Sequence, residues 1–271
     1  MREYIAAMSS KDQKEIEAKL LITAQNPNAV LSQIARMSSL LNYRLLKRGR
    51  INLRDIYLDT PDFKLKQQRL ALRLRKSNSQ YFLTLKGKSQ VTSWGGVERL
   101  EIELPWSGKS YQRIIEILKE HGILIDFSYH TLSQIPPLSL TKNPAFIIIQ
   151  DRETKRLLRQ IVAEKNRRKV LAELALDTVH FHLAGLTVLQ AEIELEAKDV
   201  DGQDTVRALT EYFIQDYPEN LRSWTISKLS TGILLEQLQQ ETDIRKFINT
   251  QHYLLPEIFD LLIKKISGIR E

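Results

Sequence analysis

The chain has 271 residues and no cysteine, and it is sparing with proline (8), glycine (10) and aromatic residues (7%). Without cysteine there are no disulfides, no thiol catalysis and no cysteine-ligated zinc, a pattern that fits a reducing cytoplasm. No apolar run approaches the ~18 residues that a membrane span needs. No secretory leader is read at the N-terminus. The expectation is a soluble, cytoplasmic protein with no membrane partner. No repeat recurs at a fixed period.

What is present is an ordinary globular balance of 42% hydrophobic and 27% charged residues. The length suffices for one large or two small domains with a real core. Forty Lys and Arg against 33 Asp and Glu give a net charge of +7. That favours anionic partners without choosing among nucleic acid, a membrane surface and small phosphates.

The distinctive feature is a set of short alternating segments. Glu15-Ile16-Glu17-Ala18-Lys19-Leu20, Leu72-Arg73-Leu74-Arg75, Arg99-Leu100-Glu101-Ile102-Glu103-Leu104 and Glu192-Ile193-Glu194-Leu195-Glu196 each alternate charged and apolar residues. In a strand such a segment has one apolar and one charged face. Strands are expected over residues 15–23, 51–59, 70–76, 80–86, 97–104, 146–161, 170–181 and 187–197, with a turn at Glu164-Lys165-Asn166. Helices are expected over about 29–43, 110–121 and 204–217, with a helical tail over about 230–271. Residues 1–11 read as a loose tail, and 122–145 as a loop or short elements. Roughly eight strands are enough to close a narrow barrel. Helices packed on the outside would use the apolar faces, so the charged faces would point inward.

Buried charges are costly unless they are paired or hold a metal. The acidic set is Glu15, Glu17, Asp177, Glu192, Glu194 and Glu196. The basic set is Lys19, Arg73, Arg75, Lys86, Arg99, Arg152, Arg156 and Lys228. Carboxylates without His or Cys suit a hard cation such as Mg²⁺ or Mn²⁺. Arg forks and Lys ammonium groups suit phosphate oxygens. Together they point to a metal-bound polyphosphate.

In order along the chain, these blocks resemble the CYTH domains, the triphosphate tunnel metalloenzymes. The blocks are Glu15-x-Glu17-x-Lys19; Tyr57-Leu58-Asp59-Thr60-Pro61 followed by Leu70-Ala71-Leu72-Arg73-Leu74-Arg75; Leu83-Thr84-Leu85-Lys86; Arg99-x-Glu101-x-Glu103; Glu173 to Asp177 with Glu192-x-Glu194; and Ser227-Lys228. The resemblance implies an α+β fold built on an eight-stranded antiparallel tunnel with a charged interior. Its domain would span residues 12–230, followed by a helical extension over 231–271. It also implies metal-dependent hydrolysis of a terminal phosphoanhydride. Inorganic triphosphate is the leading substrate, cleaved to pyrophosphate and phosphate.

On this reading the acidic set holds Mg²⁺ or Mn²⁺ and the basic set holds phosphate, with Arg152 preferred over Arg156. Glu101 or Glu103 would orient the attacking water. The alternatives are a class IV-type adenylyl cyclase, a nucleotide- or polyphosphate-binding module, and a triphosphatase of 5′-triphosphate RNA ends, the one nucleic acid expected. The helical tail allows packing or a homodimer. His180 and His182 are expected on an outer or rim strand, and Trp94 in a plain loop.

Overall fold

The computed structural model describes residues 13–125 and 136–268. The tail expected over 1–11 lies outside the described residues, as does the 126–135 part of the expected loop. Among the described residues eleven strands form one sheet. They are β1 (Gln13–Ile22), β2 (Ser39–Leu40), β3 (Tyr43–Asp59), β4 (Ala71–Ser77), β5 (Gln80–Lys86), β6 (Gln90–Val91), β7 (Val97–Pro105), β8 (Ile147–Ala163), β9 (Asn166–Leu183), β10 (Leu186–Ala197) and β11 (Leu221–Ser223). Hydrogen bonding runs from β1 through β10, β9, β8, β3, β4, β5 and β7, and back to β1. These eight strands form the expected antiparallel ring. It is not a regular barrel, and its members vary from seven residues in β4 to 18 in β9.

The chain forms two compact units. Among the described residues, the first comprises 13–15, Ile56–Gln90, 98–125 and 136–149. The second comprises Ile16–Asp55, Val91–Val97 and 150–268.

In the first unit, the apolar faces of β4 and β5 (Leu72, Leu83, Leu85) pack with Ile56 and Leu58 against the α3 helix (Gly108–Glu120). Ser107 caps α3 by accepting from Ser110 N, and Gly122 follows it at a φ of +74°. A C-terminal stop needs that left-handed backbone, and glycine adopts it without strain. The buried Asp59 accepts backbone N–H groups from Thr60, Leu65 and Lys66, and so ties the end of β3 to the short helix α2 (Lys64–Gln67). Asp59 therefore shapes a strand end.

In the second unit, opposite faces of one sheet carry different helices. Leu20, Leu174, Leu176, Ile193 and Leu195 pack against α1 (Pro27–Arg36) and α4 (Gly202–Asp216). The alternate residues Leu21, Val179, Phe181 and Val188 pack against α5 (Lys228–Glu241) and α6 (Pro256–Gly268). By strand alternation that second face is the one bearing Asp177 and Glu192, which oppose each other in register. The C-terminal helices thus cover part of the carboxylate-bearing face.

Helix α1 stops at Arg36, short of the expected 43. Ser38 and Ser39 interrupt its apolar stripe, and Leu41 takes a φ of +50° in the tight turn that pairs β2 with β3. Strand β3 accordingly begins at Tyr43 rather than 51. No helix among the described residues is long and apolar enough to cross a membrane.

Candidate functional site

Each unit contains a largely buried cluster of charged side chains. In the first unit it is built on β1, β4, β5 and β7. Arg73, only 3% exposed, donates to Glu103 Oε2 at 2.8 Å, to Glu101 Oε1 at 3.2 Å and to Thr84 Oγ1 at 3.1 Å. Register places these residues together: Thr84 faces Arg73 on β4 and Glu103 on β7, and Lys86 faces Glu101. Lys86 Nζ reaches Glu101 at 2.5 Å and Glu15 at 3.4 Å, and Arg99 Nε reaches Glu15 at 2.7 Å. Arg75 lies 3.9 Å from Glu103. Burial pushes the Glu101 carboxyl up, but Lys86, a hydrogen bond with Glu15, and Arg73 pull it down to about 2. Glu103 is likewise held low against its burial, by Arg73 and Arg75.

In the second unit the cluster lies on β8, β9, β10 and the first residue of α5. Asp177, Glu192 and Glu194 each present a carboxylate oxygen, all within 4.8 Å of one another. Asp177 and Glu192 are fully buried. Arg156, opposite Asp177 in register, donates Nε and Nη2 to its two oxygens at 2.8 and 2.7 Å, and also contacts Glu194. Lys228 Nζ lies 3.0 Å from Asp177 and 2.5 Å from Glu194, and it also pairs with Glu192. Ser227 caps α5, which fixes where Lys228 starts.

Burial works against both cations, yet the carboxylates raise Arg156 and Lys228 above their ordinary values. Glu194 is held low against burial by Lys228 and Arg156, whereas burial prevails over Lys228 and Lys19 at Glu192 and raises it. Gln190 donates to Glu192 Oε2 at 2.5 Å, while Glu192 Oε1 is ion-paired with Lys228.

The sequence-derived residues divide between these clusters. Glu15, Arg73, Arg75, Lys86, Arg99, Glu101 and Glu103 belong to the first. Arg156, Asp177, Glu192, Glu194 and Lys228 belong to the second, with Lys19 acting electrostatically on Glu192 and Glu194. Lys19 opposes Glu194 and donates to the Ile226 carbonyl at 3.1 Å. Glu17 is buried opposite Glu196, and Glu196 is half-exposed and bound to Lys198 at 2.8 Å.

Arg152 lies elsewhere on β8. It is 2% exposed and bonded to Asp55 at 3.1 Å and Gln150 at 2.6 Å. Of the two β8 arginines, Arg156 is the one at the carboxylates. His180 and His182 alternate with Asp177 and Val179, on the face away from the carboxylates. Residues missed from the sequence are Thr84, Gln190, Asp55 and Gln150. The first two continue the period-2 pattern of Lys86 and of Glu192-x-Glu194, so that pattern could have found them. Asp55 and Gln150 had no signal beyond alternation.

The sequence model of the CYTH domain matches residues 13–220, well over half of the chain. The chain belongs to the CYTH domain family. No curated protein matches this CYTH chain. Among solved structures, it is similar to HpAC1 from Hippeastrum, a proposed adenylyl cyclase that reveals a dominant triphosphatase activity. That match has 18% identity, covers 80% of this chain and 94% of that one, and has a TM-score of 0.53. A protein of Bacillus halodurans, described as a candidate adenylate cyclase, matches at 19% identity over 80% and 97% of the two chains, with a TM-score of 0.44. The Pct1 RNA triphosphatase of S. pombe matches at 11% over 80% and 87%, with a TM-score of 0.35. Of these three, the Hippeastrum match alone exceeds 0.5, and at its identity it bears on the fold.

Proposed function

We propose that this CYTH domain is a metal-dependent triphosphatase that cleaves inorganic triphosphate to pyrophosphate and phosphate in the cytoplasm. The observation that carries the reading is the set of three convergent carboxylates, Asp177, Glu192 and Glu194, lined by Arg156 and Lys228. An all-oxygen donor set without His or Cys fits Mg²⁺ or Mn²⁺. Asp177, Glu192 and Glu194 would hold the ion, with Glu15, Glu17 and Glu196 as the resemblance's further acidic candidates. When bound, such an ion neutralises phosphate charge and lowers the pKa of a coordinated water.

The rest of the chemistry is positioning and charge stabilisation, which phosphoryl transfer needs most. Arg156 and Lys228 stay cationic beside the carboxylates and are the nearest phosphate-binding candidates. Lys19, Arg73, Arg75, Lys86 and Arg99 join them through the family resemblance, and Arg152 braces β8 through Asp55. A Glu101 held near 2 is too weak a base to take a proton at neutral pH. Its role, with Glu103, is to orient water or to hold Arg73 and Lys86 in place. The segment from 231 onward serves as a packing extension to the domain at 12–230.

The test is to incubate the protein with Mg²⁺ or Mn²⁺ and a panel of inorganic triphosphate, ATP, thiamine triphosphate and 5′-triphosphate RNA, and to assay phosphate, pyrophosphate and cyclic AMP. Phosphate release fastest from inorganic triphosphate supports the reading. Cyclic AMP with pyrophosphate from ATP would replace it with a cyclase.

A further inference from the structure

In the second unit, the two oxygens of each clustered carboxylate are used differently. Lys228 Nζ meets one oxygen of every acid: Asp177 Oδ2 at 3.0 Å, Glu194 Oε1 at 2.5 Å, and Glu192 Oε1. A different side chain anchors the other oxygen. Arg156 Nε holds Asp177 Oδ1 at 2.8 Å, and Arg156 Nη2 holds Glu194 Oε2. For Glu192 the anchor is neutral: the Gln190 amide donates to Oε2 at 2.5 Å. The three acids thus turn one oxygen each towards a single point, where the Lys228 ammonium sits.

Gln190 precedes Glu192 by two residues on β10, so alternation puts both on the carboxylate-bearing face. It is 2% exposed. An ionised carboxylate, as the pair with Lys228 requires, only accepts hydrogen bonds. The amide must therefore turn its NH2 group towards Glu192 and its oxygen away. Among the described residues that oxygen has no hydrogen-bond partner. A buried acceptor left unpaired costs stability, and folded interiors hold few of them. An apolar side chain of similar size would fill the place without that cost. Packing therefore does not account for Gln190, whereas its bond to Glu192 does. That bond has a consequence for coordination. A carboxylate with both oxygens free can chelate a cation through both, but one whose second oxygen is held by an amide N–H offers a single ligand atom. Ca²⁺ takes about six to eight oxygens and accepts carboxylates in either mode, whereas Mg²⁺ demands a near-regular octahedron. Mn²⁺ shares that octahedral oxygen coordination.

We propose that Gln190 is a positioning residue that sets metal specificity: by holding Glu192 Oε2 it keeps that carboxylate to one ligand oxygen and biases the cluster towards Mg²⁺ and Mn²⁺ over Ca²⁺. The inference rests on the metal site of the triphosphatase reading. The test titrates the full chain calorimetrically with Mg²⁺, Mn²⁺ and Ca²⁺, each alone. It compares wild type with Gln190→Met, which keeps much of the volume without the donor, and Gln190→Asn, which keeps the amide but withdraws it by one carbon. Melting temperatures in a chelator check that each variant folds, and the asparagine variant carries the test if the methionine variant does not.

In the variants, Ca²⁺ affinity should rise about tenfold relative to Mg²⁺ and Mn²⁺, because Glu192 can then chelate through both oxygens. An unchanged preference would overturn the proposal. So would an equal loss of all three ions, which is what a merely structural glutamine would produce. A wild type that binds none of the ions would overturn the metal reading and this inference with it. A shifted preference in a protein that hydrolyses no triphosphate would support the role of Gln190 and overturn the catalytic reading alone.

Discussion

Arg156 and Asp177 face each other across β8 and β9 and share two parallel hydrogen bonds of 2.8 and 2.7 Å. The pair is buried, and its second acid is Glu194. Arg156 and Lys228 are therefore the counter-charges that let three carboxylates share the interior.

Removing one of those counter-charges should expose that dependence. Arg156→Met should cost about 3 kcal/mol, the lower end for breaking a buried pair, because Lys228 still compensates. Added Mn²⁺ should recover much of the loss, since a bound cation replaces the missing charge and stabilises the folded state by linkage. Urea unfolding of wild type and variant, with and without Mn²⁺, measures both. A variant as stable as wild type without metal would mean that the pair contributes little.

Lys228 should oppose a metal ion at the same carboxylates. Its ammonium pairs with all three acids. A divalent ion entering there meets a unit positive charge at close range, in surroundings of low dielectric. Lys228→Met should therefore tighten Mn²⁺ binding by about tenfold or more while slowing triphosphate turnover. Calorimetric titration reads the first effect independently of the second. Weaker Mn²⁺ binding in the variant would show that Lys228 organises the carboxylates rather than competing for them.

The charged strand faces were legible in the sequence because strand alternation is strict, but their sorting into two clusters of mixed charge was not. Glu192-x-Glu194 and Arg73-x-Arg75 announce a charged face whatever lies beyond them. Which arginine of β8 meets the carboxylates was not legible. Arg152 and Arg156 share a face, and only the β8–β9 register decides that Arg156 opposes Asp177 while Arg152 opposes Phe181. Register is set by turn and tertiary packing, which local pattern does not encode. The early end of α1 was hidden for a similar reason. Leu40 fits a helical stripe, yet it is buried as a strand residue paired with Tyr43.

Acid should weaken the first unit through Glu101. Its carboxyl sits at about 2, against an ordinary 4.5, after Lys86, Glu15 and Arg73 overcome burial. A carboxylate depressed in the folded state contributes stability above the unfolded value and loses it as pH falls through the folded one. The contribution, about 3 kcal/mol at most, is thus present above about pH 4.5 and disappears towards pH 2. Glu103, also depressed, acts in the same direction. Denaturant midpoints measured between pH 6 and pH 2 should fall more steeply for wild type than for Glu101→Gln. Parallel curves would remove Glu101 from the acid response.

Gly232 should resist replacement although it lies inside helix α5. Alanine in a helix interior ordinarily gains about 1 kcal/mol over glycine. Here a Cβ would stand 2.1 Å from Gln150 Nε2 and 3.0 Å from the Phe181 ring. Gln150 cannot yield freely: its amide donates to the Leu229 carbonyl and its oxygen accepts from Arg152. Displacing it would disturb the buried Arg152–Asp55 pair and the seat of α5 on the carboxylate-bearing face. Gly232→Ala should therefore destabilise by about 1–3 kcal/mol, the usual cost of overpacking, with a lower melting temperature. Gln150→Ala should remove the obstruction, so the double variant should melt above the sum of the two single losses. Simple additivity would mean that α5 shifts to make room, and that Gly232 does not set how closely the helix lies on the sheet.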